Sequence, residues 1–446
     1  MIPVTDVASL VAAIGAATPG DEIVLAPGTY AFTGVTCAAM GTTESPITVR
    51  SAEPLGAHVE FSGVEGFKVT GANWHFDGLD VVGVCANDDD CEHAFHVTGR
   101  ADGFVLRNSR IVDFNAQLKV NSDPVNNVWE TPDHGLVDHC ELFDTRPRNT
   151  GNPTTKLNID TGDGWIVRGT YLHDFQKGGG DGVSYGAFMK SGGHEGLFER
   201  NLVVCDSGLH AGGTRLGLSF GGGGTSPQYC APAFDASVPC SVEHTGGVLR
   251  NNVIVGCSDV GVYINRGVDT AVVFNTLIGT SGVDFRFDTT TGRAHGNLLD
   301  GRIRDRDSGV HVEGTNTVVD AATFAAAYAD ALHGDLGVIG DVAAWEGVAT
   351  PDPDVTDDYC GRSRTPAMWT AGALEHTLGD CESDADTDAD SDSDTDADSD
   401  SDTDGNVGTD EPGCGCDVGG APVGSGMAAL LFVYGCVRNR DRRSDR

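Results

Sequence analysis

Positive charge is scarce in this sequence. Against 66 acidic residues stand 28 basic ones, a formal net charge of -38 over 446 residues. That balance excludes nucleic-acid binding by the body, though it leaves room for a local basic site. Much of the excess sits in one segment, 382–404, where nearly every second residue is Asp. No pair of body cysteines has the CxxC spacing and histidine is not clustered with them, which argues against a zinc site. A helical period is almost absent after the opening residues. The first residues also lack the basic start and long apolar core of a signal peptide, so the true start is expected upstream.

What is present is glycine, 62 residues, and a repeat. FKVTGANWHFDGLDVVG, FHVTGRADGFVLRNSRIVDF, LNIDTGDGWIVRGTYLHDF, AFMKSGGHEGLFERNLVVCD and VYINRGVDTAVVFNTLIGT share a strand, a Gly or polar turn, and a second strand. Asn252, Asn275 and Asn297 recur about 22 residues apart, within the ~20–30-residue period of stacked units that cannot bury a core alone. Short β runs with Gly turns predict an all-β, right-handed parallel β-helix running from about Val24 to Ile303. The recurring Asn predicts a ladder of stacked amides. A β-propeller would need longer repeats with four strands each.

Around this stack the sequence predicts its accessories. Thr5 or Asp6 caps a helix carrying Val7, Leu10, Val11 and Ile14 at helical spacing, a lid over the first apolar rung. Polar inserts at 121–134, 145–156 and 226–245 interrupt the period and are expected to build a binding wall. A second helix is predicted over Asp320–His333. Close pairs Cys85/Cys91, Cys230/Cys240 and Cys360/Cys381 read as local disulfides of an exported protein. The pairing of Cys37, Cys140, Cys205 and Cys257 is left open, with buried thiols expected among them. The folded body (1–376) gives way to an Asp-rich linker (377–413) that cannot bury a core and is expected to be disordered. The segment 414–446 follows, with an uncharged run from Val418 to Val437 long enough to span a bilayer and four arginines directly after it.

Side-chain alternation places one stripe of polar residues on an outer sheet face. Its pairs are His96/Thr98, Lys119/Asn121, Asn158/Asp160, Phe188/Lys190, Gly217/Ser219, Tyr263/Asn265 and Asp284/Arg286. Such a row along a rigid sheet suits an extended polysaccharide, with Phe188 and Tyr263 as sugar platforms and Lys119, Asn121, Asn158, Asp160, Ser219 and Asn265 as hydrogen-bonding contacts. With Ala187, Met189, Leu216 and Leu218 inward, Lys190 and Arg215 are expected side by side on successive rungs, as the catalytic pair. Asp133, Asp138 and Asp160 are the candidates for the paired carboxylates of a hydrolase.

The runs PGDEIVLAPGTY, SPITVRS and FSGVEGFKVTGANWHFDGLDV resemble the opening of right-handed parallel β-helix proteins of the pectate lyase-like superfamily, and remotely the alginate lyase and chondroitinase B family. In that family a Lys of a KS motif is the base, an Arg on the next coil the acid, and calcium held by an Asn and two Glu neutralises the uronate. The resemblance implies those roles for Lys190, followed by Ser191, and for Arg215. The acidic pair before the Lys is missing in VSYGAFMK, with Asp160 as a weaker substitute. No metal ligands are assigned, and calcium enters only through the resemblance. The FMKSG, ERNLVVC and GLSFGGGGT runs are more similar to secreted β-helix proteins of uncharacterised role, and AGALEH to the segment closing many such domains. GCGC, a short span and an Arg-rich end resemble the MYXO-CTERM sorting signal, which implies export and surface anchoring near Cys414 or Cys416. The expectation is a monomeric, surface-anchored protein that binds an acidic polysaccharide and cleaves it as a lyase. The alternative is a noncatalytic glycan-binding or structural protein.

Overall fold

The computed structural model describes residues 1–381 apart from Gly223 and Pro366. The expectations for the acidic linker beyond Cys381 and for the C-terminal segment therefore lie outside the described residues. The chain is a right-handed parallel β-helix. Three sheets of twelve, eleven and ten strands run its length, and each strand pairs in parallel with its counterpart one coil away. Parallel pairing requires a crossover between partners, and here each coil supplies it by visiting all three sheets in turn.

Inward residues form one continuous core from Val4 to Phe285, Ala294 and Leu299. Phe67, Phe76, Phe95 and Phe104 meet there at ring-centroid separations of 4.9–5.9 Å. The asparagine ladder is present and longer than predicted. Asn201, Asn252, Asn275 and Asn297 each pass a side-chain N–H to the next side-chain oxygen at 2.9–3.1 Å, and Asn316 ends the ladder as the last acceptor. Buried amides must find partners, and the ladder satisfies each from the adjacent coil.

Helix α1 (Val7–Ala16) is capped by Asp6, which accepts from the Ser9 N–H at 2.8 Å. It buries Leu10, Ala13 and Ile14 on the first coil, while Val11 stays exposed. An unforeseen strand, Ile2–Val4, precedes it and opens the twelve-stranded sheet. The stack also runs past Ile303: Val310–Glu313 and Thr317–Val318 add the last strands of two sheets. Helix α2 (Ala321–Ala327) is shorter than predicted, and Tyr328–Asp330 leaves it as a strand paired with Asp335–Val338. A short 3-10 turn, His376–Leu378, follows the body, and the carbonyls of Leu378, Gly379 and Asp380 accept from Arg362.

Cys85–Cys91 and Cys230–Cys240 are disulfides as expected, and Cys205 pairs with Cys257. Cys360 and Cys381 are also disulfide-bonded. Cys37 and Cys140 are buried thiols.

Candidate polysaccharide groove

The ten-stranded sheet turns its outer face to a groove. Its register sets two rows of outward side chains. One runs His96, Lys119, Asn158, Phe188, Ser219, Tyr263, Asp284 and Arg304. The other, two residues on, contains Thr98, Asn121, Asp160, Lys190, Gly221, Asn265, Arg286 and Arg306. The predicted stripe is therefore present with one correction: Phe188 lies level with Ser219, not Gly217.

Lys119, Asp160 and Lys190 meet on three successive strands. Lys119 is ion-paired with Asp160 and donates to Asn158 Oδ1 at 3.0 Å. Lys190 Nζ lies 3.3 Å from Asp160 Oδ1 and 4.8 Å from the centre of the Phe188 ring. Two ammonium groups thus share one carboxylate, and both lysine side chains keep about 15–16% of their surface exposed. Burial opposes ionisation of Asp160, but the two lysines outweigh it and hold the carboxyl below its ordinary value. Burial pushes the Lys119 ammonium below the usual lysine value; Asp160 opposes that shift and Lys190 adds to it.

These residues floor a cleft of about 390 Å³, walled by Asn121, Ser122, Trp129, Thr161, Ser191, Thr225, Ser226 and Tyr229. Two of the three inserts build that wall. The first folds as a hairpin, Asp123–Val125 against Val128–Glu130. The second is tied by Cys230–Cys240. They meet where Trp129 stacks on Phe234 at 4.6 Å, with Tyr229 edge-on at 6.4 Å. Gly222 lies close beneath this wall: an added Cβ would lie 3.1 Å from the Lys190 stem and 3.5 Å from Phe188 and would crowd the Lys190 side chain. Ser191 hydrogen-bonds Thr225 at 2.9 Å and points its hydroxyl at Asp160 Oδ1, 3.4 Å away. The insert at 145–156 does not join them. Its Arg146 and Arg148 pair instead with Asp88 in the Cys85–Cys91 loop.

Asn121 Oδ1 accepts from His96 Nε2 at 2.7 Å, and His96 Nδ1 meets Glu65 at 2.6 Å, so the groove continues polar toward the N-terminal coils. Burial lowers His93 beside it to about 3, which leaves its ring neutral.

Arg215 is not beside Lys190. Arg215 is level with Ser184, whereas Lys190 is level with Gly221, six positions further along the strand. At ~3.3 Å per residue that is ~20 Å. It also faces the other way. Leu218 is in the core, and a Cβ on Gly217 would meet Ile254 of the same core. Two successive positions therefore point inward and the alternation slips by one. Upstream of the slip Leu216 turns outward to pack with Val260 and Tyr263. Arg215 turns to the opposite side, pairs with Asp206 at 2.8 Å and donates to Gln176 at 2.8 Å. Gly186 and Gly217 carry no side chain to betray this bend, so strict alternation misread it.

Other candidates are also placed differently. Phe188 and Tyr263 are 4% and 6% exposed. Lys190 covers the first ring and Leu216 with Val260 packs the second, so neither offers a bare face. Ser219 is buried and donates to the Tyr263 carbonyl at 2.7 Å. Asp138 lies on the twelve-stranded sheet against Arg168 and His139, and Asp133 accepts from the Asp163 N–H, so the two do not converge with Asp160. No cluster of His, Cys, Asp and Glu among the described residues could hold a metal. Asp160, the one substitute ligand, is already engaged by two ammonium groups. Calcium of the kind the chondroitinase B resemblance implies does not fit these residues. Thr225, Trp129 and Tyr229 are not singled out by the sequence, and Ser191 enters there only as the motif residue after Lys190. The signal that could have found the two aromatics was their place inside the predicted wall inserts.

No protein-family model and no curated protein matches this chain. Among solved structures it is similar to pectate lyase Pel9A, with 16% identity, a TM-score of 0.55 and coverage of 82% of this chain and 90% of that one. A rhamnogalacturonan lyase is matched at 14% identity and TM-score 0.48 over 83% and 92% of the two chains. An alginate lyase from Paenibacillus sp. is matched at 16% identity and TM-score 0.38 over 71% and 99%. At these identities the first likeness is one of fold.

Proposed function

We propose that the chain binds an acidic polysaccharide along the outer face of its ten-stranded sheet and seats a uronate carboxylate between Lys119 and Lys190. One observation carries the reading. Two ammonium groups share a single carboxylate at the floor of a walled cleft, in a chain of net charge -38. A carboxylate from a ligand would complete the pairing through charge-assisted hydrogen bonds. The rigid sheet holds the row in place, and the inserts exclude solvent from one side.

A second reading, cleavage by β-elimination, is favoured by the lowered proton affinity of Lys119. A neutral lysine here would take the proton beside the uronate carboxylate onto Nζ. The electron pair left on carbon forms the double bond, the bond to the leaving sugar oxygen breaks, and water protonates that oxygen. Asp160 stays paired with Lys190 throughout. Pectate lyase Pel9A, the neighbour of similar fold, is named for that class of activity.

One experiment separates the two. The protein is offered pectate, alginate and chondroitin, and binding is measured beside the ultraviolet absorbance of an unsaturated uronate. Binding without absorbance, lost about tenfold or more in both Lys119→Ala and Lys190→Ala, is the expected result. Absorbance in the parent that disappears in Lys119→Ala or Lys190→Ala while binding persists establishes the lyase. Binding of none of the three polymers overturns both readings. Export is part of the proposal and is supported by the disulfides. Surface anchoring through the C-terminal span is tested by protease treatment of intact cells, which should release the body.

A further inference from the structure

The cluster at Asp160 has a counterpart on the same face of the same sheet. Asp284 is fully buried and takes Arg304 Nε at 2.7 Å together with the Arg306 guanidinium. Arg286, one strand back, pairs with Asp307 at 2.6 Å and donates to the Tyr263 hydroxyl at 3.0 Å. Three guanidinium groups thus stand over two carboxylates. Asp305, on the same strand as Arg304 and Arg306, is turned to His311 at 2.7 Å and does not join them. The side chains of Arg304 and Arg306 are each more than a third exposed, so they can reach a ligand.

The register connects the two clusters. Lys190, Gly221, Asn265, Arg286 and Arg306 occupy one row on five successive strands. Four rung spacings of ~4.8 Å separate Lys190 from Arg306, ~19 Å in all. Between them Gly221 has no side chain. Asn265 is 4% exposed, and its Oδ1 has no hydrogen-bond partner among the described residues. A buried carbonyl oxygen without a donor is costly, and a sugar hydroxyl laid along the row would supply one.

We propose that Arg304 and Arg306, with Arg286 and Asn265, form a second anion subsite that grips another acidic group of the same polysaccharide chain, four rungs from Lys190. The inference rests on the acidic-polysaccharide reading and deepens it. The ligand must be a polymer with acidic groups on residues far enough apart to reach both clusters, so short acidic oligosaccharides fill one end only. Linking two such contacts on one ligand raises affinity through effective concentration.

The test uses oligogalacturonates graded by length, from the dimer upward, with affinity measured at fixed ionic strength. The parent is expected to show a step in affinity, about tenfold or more, once the oligomer can span both clusters. In Arg304→Gln/Arg306→Gln the step should vanish while the shortest oligomers bind as before. In Lys190→Ala all lengths should weaken. Removing two arginines leaves Asp284 bare and buried, so a triple variant adding Asp284→Asn neutralises it, and this variant should also lack the step. A parent whose affinity rises smoothly with length overturns the second subsite and leaves the first reading standing. So does a step that survives in the triple variant, or an equal loss at every length. A parent that binds no oligogalacturonate of any length also overturns the second subsite, and if it binds none of pectate, alginate and chondroitin either, both readings fall together.

Discussion

Asn252 shows how much of the stack depends on single side chains. Its Oδ1 accepts from both the backbone and the side-chain N–H of Asn201, and its Nδ2 donates to Asn275 Oδ1 and to the Phe198 carbonyl. All of these atoms are away from water. Alanine there would strand donors on one coil and acceptors on the next, at about 1–3 kcal/mol for each buried group left unpaired. Urea unfolding of Asn252→Ala should therefore show a loss of about 3 kcal/mol or more. Asn316 closes the ladder in a half-buried position, so water can replace the lost bonds, and Asn316→Ala should cost less than half as much. Equal losses at the two sites would contradict the ladder as a buried network.

The inserts belong to the scale of elements. The hairpin at 123–130 and the loop at 226–245 have no period of their own and rest on each other through the Trp129–Phe234 stack. Such a pair contributes about 0.5–1.5 kcal/mol beyond its buried area. That is small beside the core, so Trp129→Ala should leave the melting temperature of the body nearly unchanged. It should weaken acidic-polymer binding roughly fivefold or more by letting the wall open. Reducing Cys230–Cys240 should act in the same direction. If either change unfolds the body, or neither alters binding, the inserts are not the wall of the site.

At the scale of the whole molecule, stability should respond to acid in two stages. Burial lowers His93 and His244 to about 3 each, so the folded state keeps them neutral while the unfolded chain protonates them below about 6.5. The unfolded state then holds more protons, and stability falls as pH drops from about 6.5 toward 3. His173 works against this: burial opposes its charge, but Asp174 and Glu141 hold its proton affinity above the ordinary histidine value. Its contribution is complete below 6.5 and is lost as pH rises through the raised value. The second stage involves Asp80, Asp88, Asp160 and Asp174, where burial is outweighed by ion pairs and hydrogen bonds, so that each lies below 3.8. Their stabilisation is present above 3.8 and is lost as pH falls through the lowered values. Thermal melting across pH 3–7 checks both stages. Because His244 stacks on Phe220 at 4.3 Å and neither of its ring nitrogens has a hydrogen-bond partner among the described residues, His244→Phe should make the first stage shallower, with His93 carrying the remainder, and leave the second. An unchanged profile in that variant would exclude His244 as a source.

The sequence by itself determined the repeat, the parallel stack, the capping helix, three of the four rungs of the asparagine ladder counted from Asn252 to Asn316, and the outward row from His96 to Arg286. All of these follow from period and alternation, which are local properties of a strand. It also put Lys119, Asp160 and Lys190 on one face, because the stretches that carry them, 118–121, 157–160 and 187–190, alternate without interruption. Tertiary structure alone decided the rest. Arg215 left the site because Gly186 and Gly217 bend their strands at a corner, and a residue without a side chain hides a change of parity. Phe188 and Tyr263 do not offer the predicted platforms, because exposure depends on what the fold lays over a ring, here Lys190 and Leu216. The pairing of Cys205 with Cys257 joins positions 52 residues apart, and the meeting of Trp129 with Phe234 joins two inserts on different coils. Such contacts are fixed by how coils stack, and no spacing along the chain encodes them.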